Sequence, residues 1–263
     1  TTPAEIAKSV GAGLYKSVCC AKVDGDLCDL RTPLEKDCKV ELLTFDNVDG
    51  QKTFWHTASH VLAQAVKRLY PNAKCAIGPA VDNGFYYDFD VEKPFSPEDL
   101  EKIKAEMKKI VKSGLELERV ELSPEEAEKK LEEMNEPYKV ELVKEHSDKG
   151  EHITFYKQGE FIDLCAGPHL MSVKGVKAFK LLSSSSAYWR GSEKNAMLTR
   201  IYGTAYASKD ELKEHLEQME EAKRRDHNKR GREMKIFTTV DVIGQGLPLI
   251  MPNGVIMMQE LQR

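Results

Sequence analysis

The sequence predicts an α+β fold with more than one domain, because helical and strand-like segments occupy separate stretches of the chain. Two helices have strong start signals: Ser96-Pro97 and Ser123-Pro124 each place an N-cap serine before a proline at the first helical position. Segments rich in β-branched and aromatic residues, bounded by turn residues, indicate strands elsewhere. A length of 263 residues suits about two domains with part of a third.

Composition limits the class of protein. Hydrophobic residues make up 41% and charged residues 31% of the chain, which is typical of a globular protein. No apolar run is long enough to cross a bilayer and the first residues lack a signal-peptide pattern, so we expect a cytoplasmic protein with no membrane partner. The six cysteines contain no C-x-x-C pair and are expected to be reduced.

Charge gives only local hints of a nucleic-acid partner. The net charge is −4, so any contact with a polyanion must come from a patch. One candidate is the segment 223–235, "KRRDHNKRGREMK", which is also typical of a solvated helix end.

Residues 1–49, at the start of the chain, are predicted to form a small α+β unit. It combines a helix near residues 3–10 with strands near 19–25 and 39–45. The next segment, "HTASHVLAQAV", predicts a helix that ends before Pro71. His56 and His60 lie four residues apart in it, so their imidazoles share one edge of the helix. A core helix with locally satisfied histidines is the simpler alternative.

The remaining elements follow in order. Residues 77–90 predict a strand or hairpin, and the two Ser-Pro helices form a solvated scaffold, the first ending at Gly114. Further strands are predicted at 138–143, 152–158, 161–170 and 178–184. An ordered turn is expected at the four serines 183–186, a long helix at 210–230, and the opening of another domain at 236–263.

A second cluster of reactive side chains complements the two histidines. The loop "DLCAGPH" places Cys165 and His169 four residues apart, just after Asp163. Three imidazoles and one thiol are the ligands of a tetrahedral zinc site and also the groups of a water-activating hydrolase. The alternative is a buried, inert Cys165 and a surface His169.

Several motifs carry a resemblance to a known family. They are "CCAKVDGDLCDL", "HTASHVLAQAVKRLYP", "GFYYDFD", "PYKVELV", "DLCAGPH" and "YWRGSEKNAMLTRIYGTA". Together, and in this order, they resemble the N-terminal half of bacterial threonyl-tRNA synthetases over nearly the whole chain. Alanyl-tRNA editing domains share the two His and Cys/His pairs, but they are not expected to carry the N-terminal unit or the "RIYGTA" block.

The resemblance implies a domain plan. Residues 1–49 would be a ubiquitin-like TGS domain without its first strand, 50–208 an editing domain, 209–232 a linker helix, and 233–263 the incomplete start of a class II catalytic domain. ATP and a threonine-binding zinc would belong to the missing part of that last domain. The full-length enzyme would join threonine to tRNA as a homodimer, whereas this chain is expected only to hydrolyse.

The implied reaction removes serine from tRNA(Thr). Serine and threonine differ by one methyl group, which is worth about 1–3 kcal/mol of discrimination, or roughly 10–200-fold. A second, hydrolytic site is a physical remedy for that limited selectivity.

The resemblance also assigns roles to residues. His56, His60, Lys139, Cys165 and His169 would be catalytic, and Tyr87 and Asp163 would bind substrate. Lys139 would face the developing negative charge or the leaving ribose oxygen. Cys165 is expected to hold water rather than attack, because a free thiol has a pKa near 8.5. No cofactor is required for editing, although zinc is possible at His56, His60, Cys165 and His169, where we expect water.

Three alternatives stay open. The chain would be a non-catalytic RNA-binding fragment, an alanyl-type trans-editing hydrolase, or a zinc hydrolase of a different ester. The four-residue His/Cys cluster distinguishes the RNA-binding fragment from the two hydrolases, since binding of RNA alone does not require such a cluster.

Overall fold

The computed structural model describes residues 1–240, 244 and 246–263. These residues form two compact units, Thr1–Lys209 and Asp210–Arg263. Both contain helices and antiparallel strands, which confirms the predicted α+β class. Within the described ranges, every helix is too short or too polar to span a membrane.

The first segment of the larger unit is a small sheet flanked by helices. Its elements are α1 (Pro3–Val10), α2 (Ala12–Ser17), β1 (Val18–Val23), β2 (Asp26–Cys28) and β3 (Val40–Thr44). The strands pair in the order β2-β1-β3. Thr2 and Glu5 form a capping box that starts α1, and Ala7, Val18 and Leu30 contribute to a small buried core.

The rest of the larger unit surrounds one long helix. Its elements are α3 (Val48–Leu69), β4 (Lys74–Cys75), β5 (Ala80–Val81), β6 (Gly84–Asp90), α4 (Pro97–Ser113), β7 (Leu117–Glu121), α5 (Pro124–Glu133), α6 (Pro137–Asp148), β8 (Thr154–Gln158), β9 (Phe161–Leu164), β10 (Ala178–Tyr188) and β11 (Met197–Tyr206). Five of these strands form one sheet, with the path β10-β11-β6-β4 and β5 paired to β6.

Helix α3 packs on this sheet because both surfaces are apolar. Alternate residues of β6, namely Phe85, Tyr87 and Phe89, are buried in the same core as Val61 and Leu62 of α3. The side chain of Asn47 accepts a hydrogen bond from the backbone of Asp49 and starts the helix. Because one side of α3 is packed into this core, the side chains on its remaining edge are the ones available for contacts with other elements.

A separate sheet of β7, β8 and β9 delivers the second half of the site. Its register places Tyr156 opposite Asp163 and Phe155 opposite Leu164. The loop that carries Cys165 and His169 begins directly after β9, so its start is anchored by strand pairing.

The predicted strand at 138–143 is wrong, because these residues lie in helix α6. The β-branched valines favoured a strand in the sequence. Pro137 instead occupies the first turn of a helix, and Lys139 and Val143, four residues apart, are the buried side chains of that helix. Lys139 is thus a buried helical residue and does not lie on the predicted strand.

The predicted turn at Ser183–Ser186 is also wrong. These serines lie inside β10 and pair with Tyr202 to Thr199 of β11. Serine is tolerated there because three of the four are exposed, so the strand needs no apolar face at this point.

The smaller unit contains α7, whose first residue lies at the boundary, followed by short elements. They are α7 (Lys209–Arg224), α8 (His227–Glu233), β12 (Phe237–Thr239), β13 (Pro248–Ile250) and α9 (Pro252–Leu261). The single helix predicted at 210–230 is therefore two helices, because the Asp226 side chain accepts from the backbone of Asn228 and Lys229 and starts a new one. The predicted opening of a further domain at 236–263 includes residues 241–243 and 245, which lie outside the described residues.

A glycine in the central sheet gives a stability prediction. Gly203 pairs with Phe85 in the register of β11 and β6, and a Cβ atom there would lie 2.5 Å from Cζ of the fully buried Phe85 ring. Gly203→Ala is expected to lower the free energy of unfolding by about 1–3 kcal/mol, measured by urea titration.

The matched control is Gly13→Ala in α2, where the new Cβ would have no described atom within 4 Å apart from its chain neighbours and the adjoining helix backbone. Alanine in a helix is favoured over glycine by roughly 0.5–1 kcal/mol, so this variant should be at least as stable as the parent. Equal stability of the two variants would contradict the packing argument.

Candidate active site

The two predicted His/Cys pairs meet in one cluster. Helix α3 supplies His56 and His60, and the loop after β9 supplies Cys165 and His169. One donor atom from each of the four lies within 4.8 Å of the others. The sulfur of Cys165 is 3.3 Å from Nε2 of His56 and 3.1 Å from Nε2 of His169, across a separation of 109 residues in the first case.

The three imidazoles are neutral at physiological pH. His60 and His169 are buried, whereas His56 is half-buried. Burial, followed by repulsion from His60, lowers the pKa of His56 to about 3, and burial lowers the pKa of His60 to about 4. Burial also places the pKa of His169 well below its usual value. The cluster therefore offers nitrogen lone pairs rather than positive charges.

Thr57 fixes the tautomer of His169. Its hydroxyl donates to the carbonyl of Thr53 at 3.0 Å and accepts the backbone N–H of Leu170 at 3.0 Å. A hydroxyl has one proton and two lone pairs, so its third contact, 3.1 Å to Nδ1 of His169, requires that Nδ1 carry the proton. The Nε2 atom of His169 then presents its lone pair to Cys165.

The Cys165 thiol keeps its proton. Burial is the main reason that its pKa rises to about 12, in spite of the N–H that Gly167 donates to the sulfur at 3.2 Å. The thiol donates a hydrogen bond to Nε2 of His169, and the sulfur accepts hydrogen bonds from its other neighbours. A protonated, buried thiol is a poor nucleophile, and the water-holding role expected from the sequence stays a prediction.

A second network adjoins the cluster through Asp163. The Tyr87 hydroxyl donates to its Oδ2 at 2.6 Å, Nζ of Lys139 lies 2.9 Å from Oδ1, and Nε2 of His60 lies 3.7 Å from Oδ2. Burial acts against both charges, but the mutual attraction of Lys139 and Asp163 outweighs it. The pKa of Lys139 is therefore raised and that of Asp163 lowered, so both groups are ionised.

An open cleft of about 470 Å³ exposes only part of these groups. Its wall includes His56, Lys139 and Cys165. His60, His169, Tyr87 and Asp163 are buried behind that wall, with exposed fractions of 0–3%. The structure thus brings all seven predicted residues together but divides them into a cleft-facing group and a supporting group. Tyr87 and Asp163 are engaged with each other instead of facing the cleft.

Sequence reasoning missed two groups that shape the site. Thr57 stands between the two histidines of "HTASH", and a hydroxyl inside that motif was an available signal. Asp29 accepts the backbone N–H of His169 from 140 residues away, and no local pattern of the sequence indicates this contact.

The cluster has the chemistry of a zinc site. Three imidazoles and a thiol are zinc ligands. In His169 the Nδ1–H is held by Thr57 and Nε2 faces the cluster, which is the orientation typical of metal-binding histidines. Nδ1 of His60 is buried and lacks a hydrogen-bond partner within residues 1–240, 244 and 246–263. The residues present therefore fit the ion.

Two family models match parts of the chain. The TGS domain model matches residues 1–44, and the model described as the second additional domain of threonyl and alanyl tRNA synthetases matches residues 153–202. The second match includes Asp163, Cys165 and His169, whereas α3 lies outside it.

Whole-chain comparisons find threonine-tRNA ligases that match nearly the entire chain. Threonine-tRNA ligases from Acetivibrio thermocellus, Clostridium perfringens and Clostridium tetani are 57%, 56% and 55% identical to this chain over 98% of its length. The chain is homologous to the N-terminal part of threonine-tRNA ligases. It spans 40% of the length of these three relatives. As an N-terminal region of a threonine-tRNA ligase, it contains the TGS match followed by the segment that bears the Cys165–His169 loop.

Proposed function

We propose that this chain hydrolyses the ester of serine on tRNA(Thr), as the editing region of a threonine-tRNA ligase. One observation carries the proposal: a buried cation, Lys139, lines the same cleft as His56 and Cys165. Ester hydrolysis needs a held water and a positive group near the developing oxyanion. Binding of RNA alone requires neither group.

The reaction is an attack of water on the carbonyl carbon of the seryl ester. The new carbon–oxygen bond gives a tetrahedral oxyanion, and breaking of the ester bond releases serine and a ribose hydroxyl on the tRNA. A proton of the water passes to the leaving ribose oxygen. His56 holds the water with a neutral imidazole. Burial lowers the pKa of that imidazole to about 3, so His56 positions the water and does not carry the proton. Lys139 stabilises the oxyanion or the leaving oxygen.

The supporting group sets the geometry of these two residues. Asp163 accepts from Tyr87 and pairs with Lys139, which directs the ammonium group. Cys165 and His169 fix the edge of His56 through the 3.3 Å contact with the sulfur. We therefore assign Tyr87 and Asp163 to the positioning of Lys139, in place of the direct contact with substrate that the sequence suggested.

Zinc, if bound, would be held by His56, His60, Cys165 and His169, and it would supply a Lewis acid and an activated water. We expect hydrolysis without it, because His56 and the ammonium group of Lys139 already line the cleft in which the water and the oxyanion would be held. Elemental analysis after dialysis should give much less than one zinc per chain, and a chelator should leave the hydrolysis rate unchanged. Stoichiometric zinc, with loss of hydrolysis on chelation and recovery on zinc addition, would contradict this prediction.

The remaining expectations concern the longer protein. We propose that it joins threonine to tRNA(Thr) with ATP, acts as a homodimer in the cytoplasm, and divides at residues 49, 208 and 232 as the sequence predicts. The similarity to threonine-tRNA ligases over 98% of this chain supports these proposals.

The decisive test is deacylation by the purified chain. Seryl-tRNA(Thr), threonyl-tRNA(Thr) and alanyl-tRNA(Ala) are incubated separately, and the release of amino acid is timed while tRNA binding is measured on the same preparation. We expect rapid release from seryl-tRNA(Thr) only. Binding without release would favour the RNA-binding alternative, and release from alanyl-tRNA(Ala) would favour the alanyl type.

A further inference from the structure

We infer that Asp29 and Arg31, from the N-terminal segment of the chain, are positioning residues of the hydrolytic site. They hold the loop that carries His169, so the segment that matches the TGS domain is part of the machinery that orients the cluster. This inference rests on the proposed function of the site.

The guanidinium of Arg31 binds backbone carbonyls on two distant elements. Nε donates to the carbonyl of Leu117 at 2.8 Å, and a terminal nitrogen donates to the carbonyl of Leu170 at 2.8 Å. The other terminal nitrogen lies 3.4 Å from the carbonyl of His169. A planar fork with five donors suits such a set of acceptors, whereas a lysine would reach only part of it.

The carboxylate of Asp29 holds the same loop through the backbone N–H of His169. We call the Asp29–Arg31 ion pair, with its bonds to His169 and Leu170, the clamp. Its Oδ2 accepts the backbone N–H of His169 at 3.1 Å and the Tyr156 hydroxyl at 2.9 Å. Its Oδ1 accepts the backbone N–H of Arg31 at 2.9 Å and pairs with the guanidinium at 2.8 Å. Both the N–H and the C=O of His169 are therefore held by this one ion pair.

Burial argues that this pair has a purpose beyond stability. The Asp29 side chain is 4% exposed and that of Arg31 is 16% exposed. Desolvating two charges offsets most of their attraction, and well-packed apolar residues often serve as well or better for stability. Apolar residues do not provide the directional hydrogen bonds that this ion pair makes to the backbone of Leu117, His169 and Leu170.

The effect reaches the cleft through one imidazole. The Asp29–Arg31 pair fixes the His169 backbone, Thr57 fixes Nδ1, and the Tyr156 ring lies 4.4 Å from the imidazole, centroid to centroid. Only Nε2 remains for Cys165, which in turn contacts His56. A shift of the loop that carries His169 would move the sulfur of Cys165 and remove its contact with the imidazole of His56.

The test compares Arg31→Lys and Arg31→Met with the parent chain in seryl-tRNA(Thr) hydrolysis. We expect kcat to fall by about 10²-fold in Arg31→Met, as for a misplacement of roughly 1 Å, while KM stays unchanged because no cleft contact is removed. Arg31→Lys keeps the charge, so its kcat should lie between those of the parent chain and Arg31→Met.

Two variants of the same N-terminal sheet serve as controls. Lys22→Met removes the partly exposed ion pair with Asp49, and Val18→Ala removes packing from the small core. Val18→Ala should lower the melting temperature but leave kcat of the folded protein unchanged. A purely structural role for Arg31 would give the same result, with reduced stability and normal kcat, and would overturn the inference.

A second measurement does not depend on hydrolysis. Long-range ¹H–¹⁵N spectra of the histidine side chains report whether His169 carries its proton on Nδ1. We expect that tautomer in the parent and in Lys22→Met, and an altered His169 signal in Arg31→Met. An unchanged signal there would also overturn the inference. Absence of hydrolysis in the parent would refute the proposed function alone, because these spectra still test the clamp.

Discussion

His56→Ala is expected to slow hydrolysis of seryl-tRNA(Thr) by about 10²–10⁴-fold, which is the usual cost of a lost proton relay or water-holding group. His56 lines the cleft and is half-buried, so its removal should change the melting temperature little. Single-turnover deacylation and thermal unfolding are measured on the same preparation. A variant that melts early yet hydrolyses at the full rate would support the core-helix alternative.

His146→Ala is a suitable control for this prediction. His146 also lines the cleft, but it is not one of the four clustered residues, and its Nδ1 lies 2.6 Å from the Glu151 carboxylate. Its removal should leave the rate nearly normal. Cys165→Ala alone should also slow the reaction, and the double variant with His56→Ala should lose far less than the product of the two effects, because groups that act as a unit are not additive.

Lys139→Met is expected to destabilise the chain by about 3–5 kcal/mol, which is the typical cost of leaving one partner of a buried ion pair alone. Asp163 is 3% exposed, and without Lys139 its charge keeps the Tyr87 hydroxyl and a neutral His60 as neighbours but loses its cation. The free energy of unfolding from urea titration measures the loss. Hydrolysis should fall as well, since the cleft loses its cation.

Asp163→Asn in the same chain tests the cause. The double variant Lys139→Met/Asp163→Asn buries no charge at this position, and the amide oxygen still accepts the Tyr87 hydroxyl. We expect it to recover much of the stability and none of the activity. If the double variant is as unstable as Lys139→Met, lost packing rather than the unpaired charge explains the effect.

The parts of the site that the sequence predicts are those whose spacing is local. His56 and His60, and likewise Cys165 and His169, are four residues apart, and both pairs reach the same cluster. Helix boundaries marked by caps and prolines are equally local, which is why α4 and α5 begin where predicted.

The parts that the sequence does not predict depend on distant partners. Lys139 lies on a helix because Pro137 starts one and because its stem is buried beside Asp163, although valines nearby favour a strand. The meeting of Asp29 with His169 and the coupling of Tyr87 to Asp163 are tertiary contacts without a sequence period. The family resemblance identified Tyr87, Lys139 and Asp163 as site residues but not which of them face the cleft.

The clamp on His169 has a consequence for the order of folding. Its partners, Asp29 and His169, are 140 residues apart in the chain, and Cys165 and His56 are separated by 109. Contacts over such distances form late, after local helices and hairpins, because a long loop must first be closed. On the ribosome, the N-terminal sheet and α3 are therefore complete well before the cluster exists. The nascent chain is able to assemble the His/Cys cluster only once residue 170 has emerged.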